Sequence, residues 1–189
     1  MKKISLALVL ISMLAACTDL SYDLMRIDPQ IEILPGLKAG IDTTIVFDAA
    51  SIENIFDDEA SSVTATIPLS AIGLDLSAWK GEYTNVKTLE AGYSVKNSIP
   101  VMVTAASAKP DSFDFEMTDI GSGTENNAYV YDGVMKITTS KNLLIYDDLP
   151  IAVTLTREGT FGGYGAAGEL TLTLKWISFP EGLGVNFLQ

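Results

Sequence analysis

The sequence predicts an all-β fold built from antiparallel β-sandwiches, and three observations carry that prediction. Apolar and polar residues alternate with a period of two along many short runs. Those runs are rich in β-branched and aromatic residues. Helical periodicity is scarce, while turn signals recur at about ten-residue spacing, the rhythm of a sandwich.

The chain opens on Met1-Lys2-Lys3, then an apolar run from Ile4 to Ala16, then Cys17. A basic start, a short apolar stretch and small residues before the cut are the layout of a secretory signal peptide. The run is too short to cross a hydrocarbon core of about 30 Å comfortably. Residues 1–16 are therefore expected to be a signal peptide. Residues 17–30 are polar, contain Pro29 and show no sustained period, as a tether would.

From Ile31 onward the strands follow in order. Thr44-Ile45-Val46-Phe47 and Val63-Thr64-Ala65-Thr66-Ile67 are short alternating runs. Between them, Ser51 to Phe56 has the makings of a turn or two of helix, with Ser51 as N-cap and Ile52, Ile55 and Phe56 on one side. Residues 80–97 are polar and rich in Gly, Lys, Tyr and Asn, whereas Ile99-Pro100-Val101-Met102-Val103-Thr104 begins a fresh strand. This contrast predicts a boundary at Asn97-Ser98, with one β-domain over 31–97 and a second over 98–189. A single continuous sandwich is the competing arrangement. Phe113-Asp114-Phe115-Glu116-Met117 puts acidic residues on the solvent side. Tyr129-Val130-Tyr131 and Met135-Lys136-Ile137 flank Asp132-Gly133, a hairpin-turn dipeptide. Ile151 to Thr156 alternates, and Leu170 to Trp176 alternates most cleanly, which places Trp176 in the core.

Composition excludes several chemistries. The chain has no histidine, so His-dependent triads and His-containing metal sites are out. Cys17 is the one cysteine, which rules out an intrachain disulfide and any other thiol nucleophile. Cleavage before Cys17 removes Lys2 and Lys3, leaving 10 basic residues against 24 acidic ones, a net charge near −14. That charge is a poor match to nucleic acid. Carboxylates, Lys and Tyr remain as acids or bases, so a carboxylate-only glycoside hydrolase stays the weakest alternative. The expectation is a non-catalytic protein with no cofactor and no metal.

Two patterns invite over-interpretation. Gly163-Tyr164-Gly165-Ala166-Ala167-Gly168 matches G-x-G-x-x-G, but the segment after it has strand periodicity, where the dinucleotide fingerprint needs a helix. A loop joining two strands accounts for it. Acidic clusters at Asp57-Asp58-Glu59, at Asp111 with Asp114, Glu116 and Asp119, and at Asp147-Asp148 lack EF-hand spacing. Solvated charge that keeps strand edges apart is the simpler account. Among the aromatics, Trp79, Tyr83 and Tyr164 fall in turn-like stretches and are the candidate ligand contacts, since sugars stack on exposed rings.

Leu14-Ala15-Ala16-Cys17 resembles the lipobox of bacterial lipoproteins. Together with the polar tether, the Thr-rich acidic strands, Ile99 to Thr104 and Ser178-Phe179-Pro180-Glu181-Gly182, it makes the chain similar to the envelope lipoproteins common in Bacteroidetes. The resemblance implies a diacylglyceryl group on the Cys17 sulfur, an acylated Cys17 amine and immunoglobulin-like sandwiches. Each buried methylene contributes about 0.8 kcal/mol, so two or three chains on Cys17 would anchor durably to a membrane. Thr18 follows the cysteine where some diderms place an inner-membrane retention aspartate, which implies the outer membrane, facing either the periplasm or the cell surface. Asp42-Thr43-Thr44 resembles the O-glycosylation motif of that phylum. The functional expectation is a binding or adhesion module for glycan or protein. A structural subunit of an envelope complex or a fimbrillin-like pilus is the alternative, with Arg26 as its processing site.

Overall fold

The structure, a computed structural model, describes residues 38–56, 60–77, 80, 83–84, 86–124, 126–146, 149–161, 168–182 and 184–185. The signal segment 1–16, the tether 17–30 with Cys17 and Arg26, and the acidic groups at 57–59 and 147–148 lie outside the described residues. In chain order the elements are β1 (Lys38–Asp48), a short helix α1 (Ala49–Glu53), β2 (Ser62–Pro68), β3 (Tyr83–Thr84), β4 (Thr88–Asn97), β5 (Val101–Ser107), β6 (Asp114–Glu116), β7 (Tyr129–Thr138), β8 (Pro150–Arg157), β9 (Glu169–Ser178) and β10 (Gly184–Val185). Tight 3-10 turns occupy Leu69–Ile72 and Leu143–Ile145.

The strands form a five-stranded sheet ordered β1-β9-β4-β7-β6, a three-stranded sheet ordered β2-β8-β5, and a two-stranded ribbon of β3 and β10. Every pairing is antiparallel. Period-two alternation explains the core. In β4, Leu89, Ala91, Tyr93 and Val95 are buried, while Glu90, Ser94 and Lys96 turn outward. Leu170, Leu172 and Leu174 do the same in β9, and Met135 and Ile137 in β7. From the smaller sheet, Ile67, Val101, Val103, Ile151 and Leu155 join the same hydrophobic cluster. Burying each such side chain contributes about 1.5–3 kcal/mol, the main force holding the layers together. The all-β antiparallel class expected from alternation is the observed one.

The pairing runs across Asn97-Ser98. β1 and β4 bond to β9, β4 bonds to β7, and β2 bonds to β8, so residues on both sides of that point share both large sheets. The chain there leaves the five-stranded sheet at Asn97 and enters the three-stranded one at Val101. Asn97 is fully buried at this corner. Its amide nitrogen donates to the carbonyls of Val101 at 2.7 Å and Gly121 at 2.8 Å, and its oxygen accepts from Ile99 N–H at 3.0 Å. Ser98 N–H donates to the Glu169 carbonyl at 2.9 Å, and Glu169 N–H donates back to Ser98 Oγ at 2.9 Å. Thr88–Asn97, inside the stretch whose polarity signals a boundary, is instead the middle strand of the large sheet.

Two local expectations also shift. Asp132-Gly133 forms no hairpin: β7 runs unbroken through it. The glycine is needed for packing, because a Cβ at Gly133 would come within 2.7 Å of the Tyr93 ring and hydroxyl. The helix cap is Asp48, whose carboxylate accepts from Ser51 N–H at 2.8 Å, so Ser51 is capped and is not the cap. Ile52, Ile55 and Phe56 are buried as the periodicity requires. Residues 163–167 of the glycine-rich motif lie outside the described residues; β9, which begins at Glu169, is a strand where a dinucleotide fold needs a helix.

Candidate functional site

Tyr83 is the one expected contact residue among the described ones, and it is buried, 6% exposed, within the hydrophobic cluster. It sits in β3 opposite Val185 of β10. A ring enclosed in this way offers no face to a sugar, so Tyr83 is a core residue and is no ligand contact. Trp79 and Tyr164 lie outside the described residues. Thr43, the centre of the Asp42-Thr43-Thr44 motif, is only 7% exposed and its Oγ1 is buried, so the folded strand does not present it for glycosylation.

The residue that does face outward is Trp176. Alternation along β9 assigns it to the core, but the strand changes phase just before it. Leu174 and Ile177 are both fully buried, which two residues on one face of an uninterrupted strand cannot be at that spacing. Trp176 stands opposite Gly40 of β1 and Gly92 of β4, and the register breaks on both sides: between Gly40 and Thr43, and between Gly92 and Tyr93. Such bulges re-aim a side chain. Here they turn the indole onto the outer face of the five-stranded sheet.

The glycine in the middle of β4 makes room for it. A Cβ at Gly92 would lie 2.1 Å from Trp176 Nε1 and 2.2 Å from Cε2, so the indole rests directly on the strand backbone. At Gly40 an added Cβ would meet nothing within 4 Å, which leaves open space on the β1 side. Lys38 Nζ lies 3.8 Å from the ring centroid, a cation–π contact. Val134, opposite Gly92 on β7, is 48% exposed.

Polar groups surround this aromatic surface. The hydroxyls of Thr44 and Thr173 are 3.0 Å apart on neighbouring strands. Lys175 Nζ donates to Asp132 Oδ1 at 2.7 Å. Ser94 stands in register between Thr173 and Asp132. The arrangement combines a half-buried indole, one ammonium held against it, and hydroxyl and carboxylate groups in adjoining positions. One ring face lies on Gly92 and the exposed Lys38 side chain covers the other, so the indole offers a face for stacking once Lys38 swings aside, while the hydroxyls and carboxylate can hydrogen-bond a polyhydroxylated edge. The isolated Gly92 within a strand is the sequence signal that could have revealed it, since such a glycine marks a close approach.

A second concavity is lined by Leu69, Leu74, Leu143 and Leu149 with Asp75 and Tyr146, and has a volume of about 60 Å³. That admits a few waters; ligand pockets run to roughly 300–1,000 Å³. Among the described residues no three acidic or cysteine side chains are placed to hold a metal ion, and no helix is long and apolar enough to cross a membrane. No protein-family model matches the chain, and no curated protein or solved structure does either.

Proposed function

We propose that the protein is a lipid-anchored module of the bacterial cell envelope that binds glycan without catalysis, with the Trp176 surface as its contact. The anchor rests on Leu14-Ala15-Ala16-Cys17, and Thr18 in the next position supports an outer-membrane address. The binding role rests on one observation: an indole laid on Gly92 on the outer face of the large sheet, beside paired threonine hydroxyls and the Lys175–Asp132 pair. With Lys38 displaced from the ring, the C–H face of a pyranose stacks on the indole, and its hydroxyls find donors and acceptors at the freed Lys38 ammonium, Ser94, Thr44 and Asp132. Aromatic contacts of this kind contribute about 0.5–1.5 kcal/mol beyond the area they bury.

The chain has two tryptophans, so Trp79→Phe leaves Trp176 as the single indole reporter. Titrating this variant with neutral and acidic polysaccharides should shift or quench its emission. Trp176→Ala should weaken retention on a polysaccharide array about tenfold, about 1.4 kcal/mol. Retention unchanged in Trp176→Ala would rule out this surface. For the anchor, Cys17→Ala should lose labelling by fatty-acid analogues and leave the membrane fraction; a variant that stays membrane-bound and labelled would refute the lipid attachment.

A further inference from the structure

The two large sheets have four edge strands, and three of them carry devices against pairing with another chain. β6 is three residues long with Asp114 and Glu116 at its ends. β1 is bulged between Gly40 and Thr43 and carries Lys38, Asp42 and Asp48. β5 is covered at Val103, which exchanges both backbone hydrogen bonds with Ile120 at 2.9 Å. The fourth edge, β2, has none of these. Ser62-Val63-Thr64-Ala65-Thr66-Ile67-Pro68 contains no charge, and its register with β8 is unbroken over its whole length.

The hydrogen-bond phase shows which backbone groups this edge presents. Arg157 N–H donates to the Ser61 carbonyl at 2.8 Å, and Leu69 N–H donates to the Leu149 carbonyl at 3.1 Å; both are directly opposed pairs. Antiparallel pairing alternates, so Val63, Ala65 and Ile67 turn their backbone groups to β8. The N–H and C=O groups of Ser62, Thr64 and Thr66 therefore point away from the sheet, and among the described residues none pairs with them.

We infer that β2 is the interface through which two copies of this chain associate, pairing antiparallel about a twofold axis at Thr64. In that register Thr64 opposes Thr64 of the second copy, and Ser62 and Thr66 oppose each other on both sides of the axis. Every outward donor and acceptor of those three residues is then satisfied. Pro68, which has no N–H to offer, falls outside the paired stretch. The two three-stranded sheets become one continuous sheet, the self-complementary contact that a twofold dimer requires.

Charge restricts where a second copy can sit. The chain carries a formal net charge of −12, so copies repel over most of their surface. The outward residues at this edge are Ser62, Thr64 and Thr66, beside Thr156, Thr154 and Ala152 of β8, all uncharged. Thr64 and Thr154 hydroxyls are already bonded at 2.8 Å, and two facing Thr64 side chains extend that ladder across the axis.

The full chain, purified in detergent, should migrate as a dimer that dissociates on dilution. Thr66→Pro removes a donor that the monomer does not use, so it should give a monomer with its strand content intact. Thr64→Lys places two like charges in opposition and should do the same without altering the backbone. Thr64→Cys should give a disulfide-linked dimer on oxidation, whereas Val130→Cys on the other sheet should not. A chain that stays monomeric at every concentration overturns the inference. So does a dimer that survives both Thr66→Pro and Thr64→Lys, or a monomer whose melting temperature falls with either variant, which would put a segment of the same chain on that edge.

Discussion

Asn97 has no exposure, and its side chain bonds three backbone groups: the Val101 and Gly121 carbonyls and the Ile99 N–H. Leaving a buried donor or acceptor unpaired costs about 1–3 kcal/mol. Asn97→Ala should therefore lower unfolding free energy by about 3 kcal/mol or more in urea melts. Asn97→Asp should be worse at neutral pH, because it turns carboxylate oxygen toward the Val101 and Gly121 carbonyls. Losses below 1 kcal/mol for both would show that this corner relaxes easily. In the sequence Asn97 is a polar residue closing a polar stretch, and asparagine is usually exposed, so it looks like punctuation. Its core role depends on Gly121, far along the chain, which no local pattern contains. Tyr83 is the converse: an aromatic in a turn-like stretch that is buried in the hydrophobic cluster and paired non-locally with β10.

Alternation located β1, β2, β6, β8 and β9 because each has a buried face opposite a solvated one. It failed where geometry changes within a strand. Asp132-Gly133 has turn chemistry, yet Gly133 is required by the Tyr93 ring lying against it. Trp176 continues the apolar face of β9 on paper, but the phase change at the bulge reverses it, so the candidate site was hidden by the same rule that found the strand. The α1 helix, by contrast, is set by a local signal, and its cap is testable. Asp48 accepts from Ser51 N–H at 2.8 Å and Ser51 Oγ at 2.6 Å, and these bonds hold its carboxyl below the usual value of 3.8. A lowered folded pKa means the stabilisation is present above 3.8 and is lost as pH falls through the folded value. Removing such a cap costs about 1 kcal/mol. Asp48→Ala should show that loss at neutral pH, while Asp48→Asn should keep most of the stability but lose the acid-dependent part of it. Equal melting of all three proteins at neutral pH would show that α1 is held by Ile52 and its neighbours alone.

At the scale of the whole molecule, the order β1-β9-β4-β7-β6 decides how the chain folds. The middle strand β4 lies between β9 and β7, which follow it in sequence, and β2 finds its partner in β8. Most of the stabilising contacts therefore join residues far apart, with Ile67 and Leu89 packed in one cluster with Leu155 and Leu174. Neither side of Asn97-Ser98 holds a complete sheet. Residues 31–97 contain β1, β2, β3 and β4, none of which pairs with another of the four; residues 98–189 keep β5 with β8 and β6 with β7, but β9 loses both neighbours and β10 its one. Two independent domains would melt in two transitions and survive separation. The observed pairing demands one cooperative transition of the intact chain, in which circular dichroism and tryptophan emission change together. Expressed apart, 31–97 should show no cooperative melt, and 98–189 should bind dyes for exposed apolar surface, since Leu170, Leu172 and Leu174 lose the strands beside them. Mixing the two fragments should restore the native spectrum if pairing alone dictates the fold. A separate 98–189 that melts sharply by itself would show that β5 to β9 form a self-sufficient core, with β1 and β4 added to a sandwich already folded.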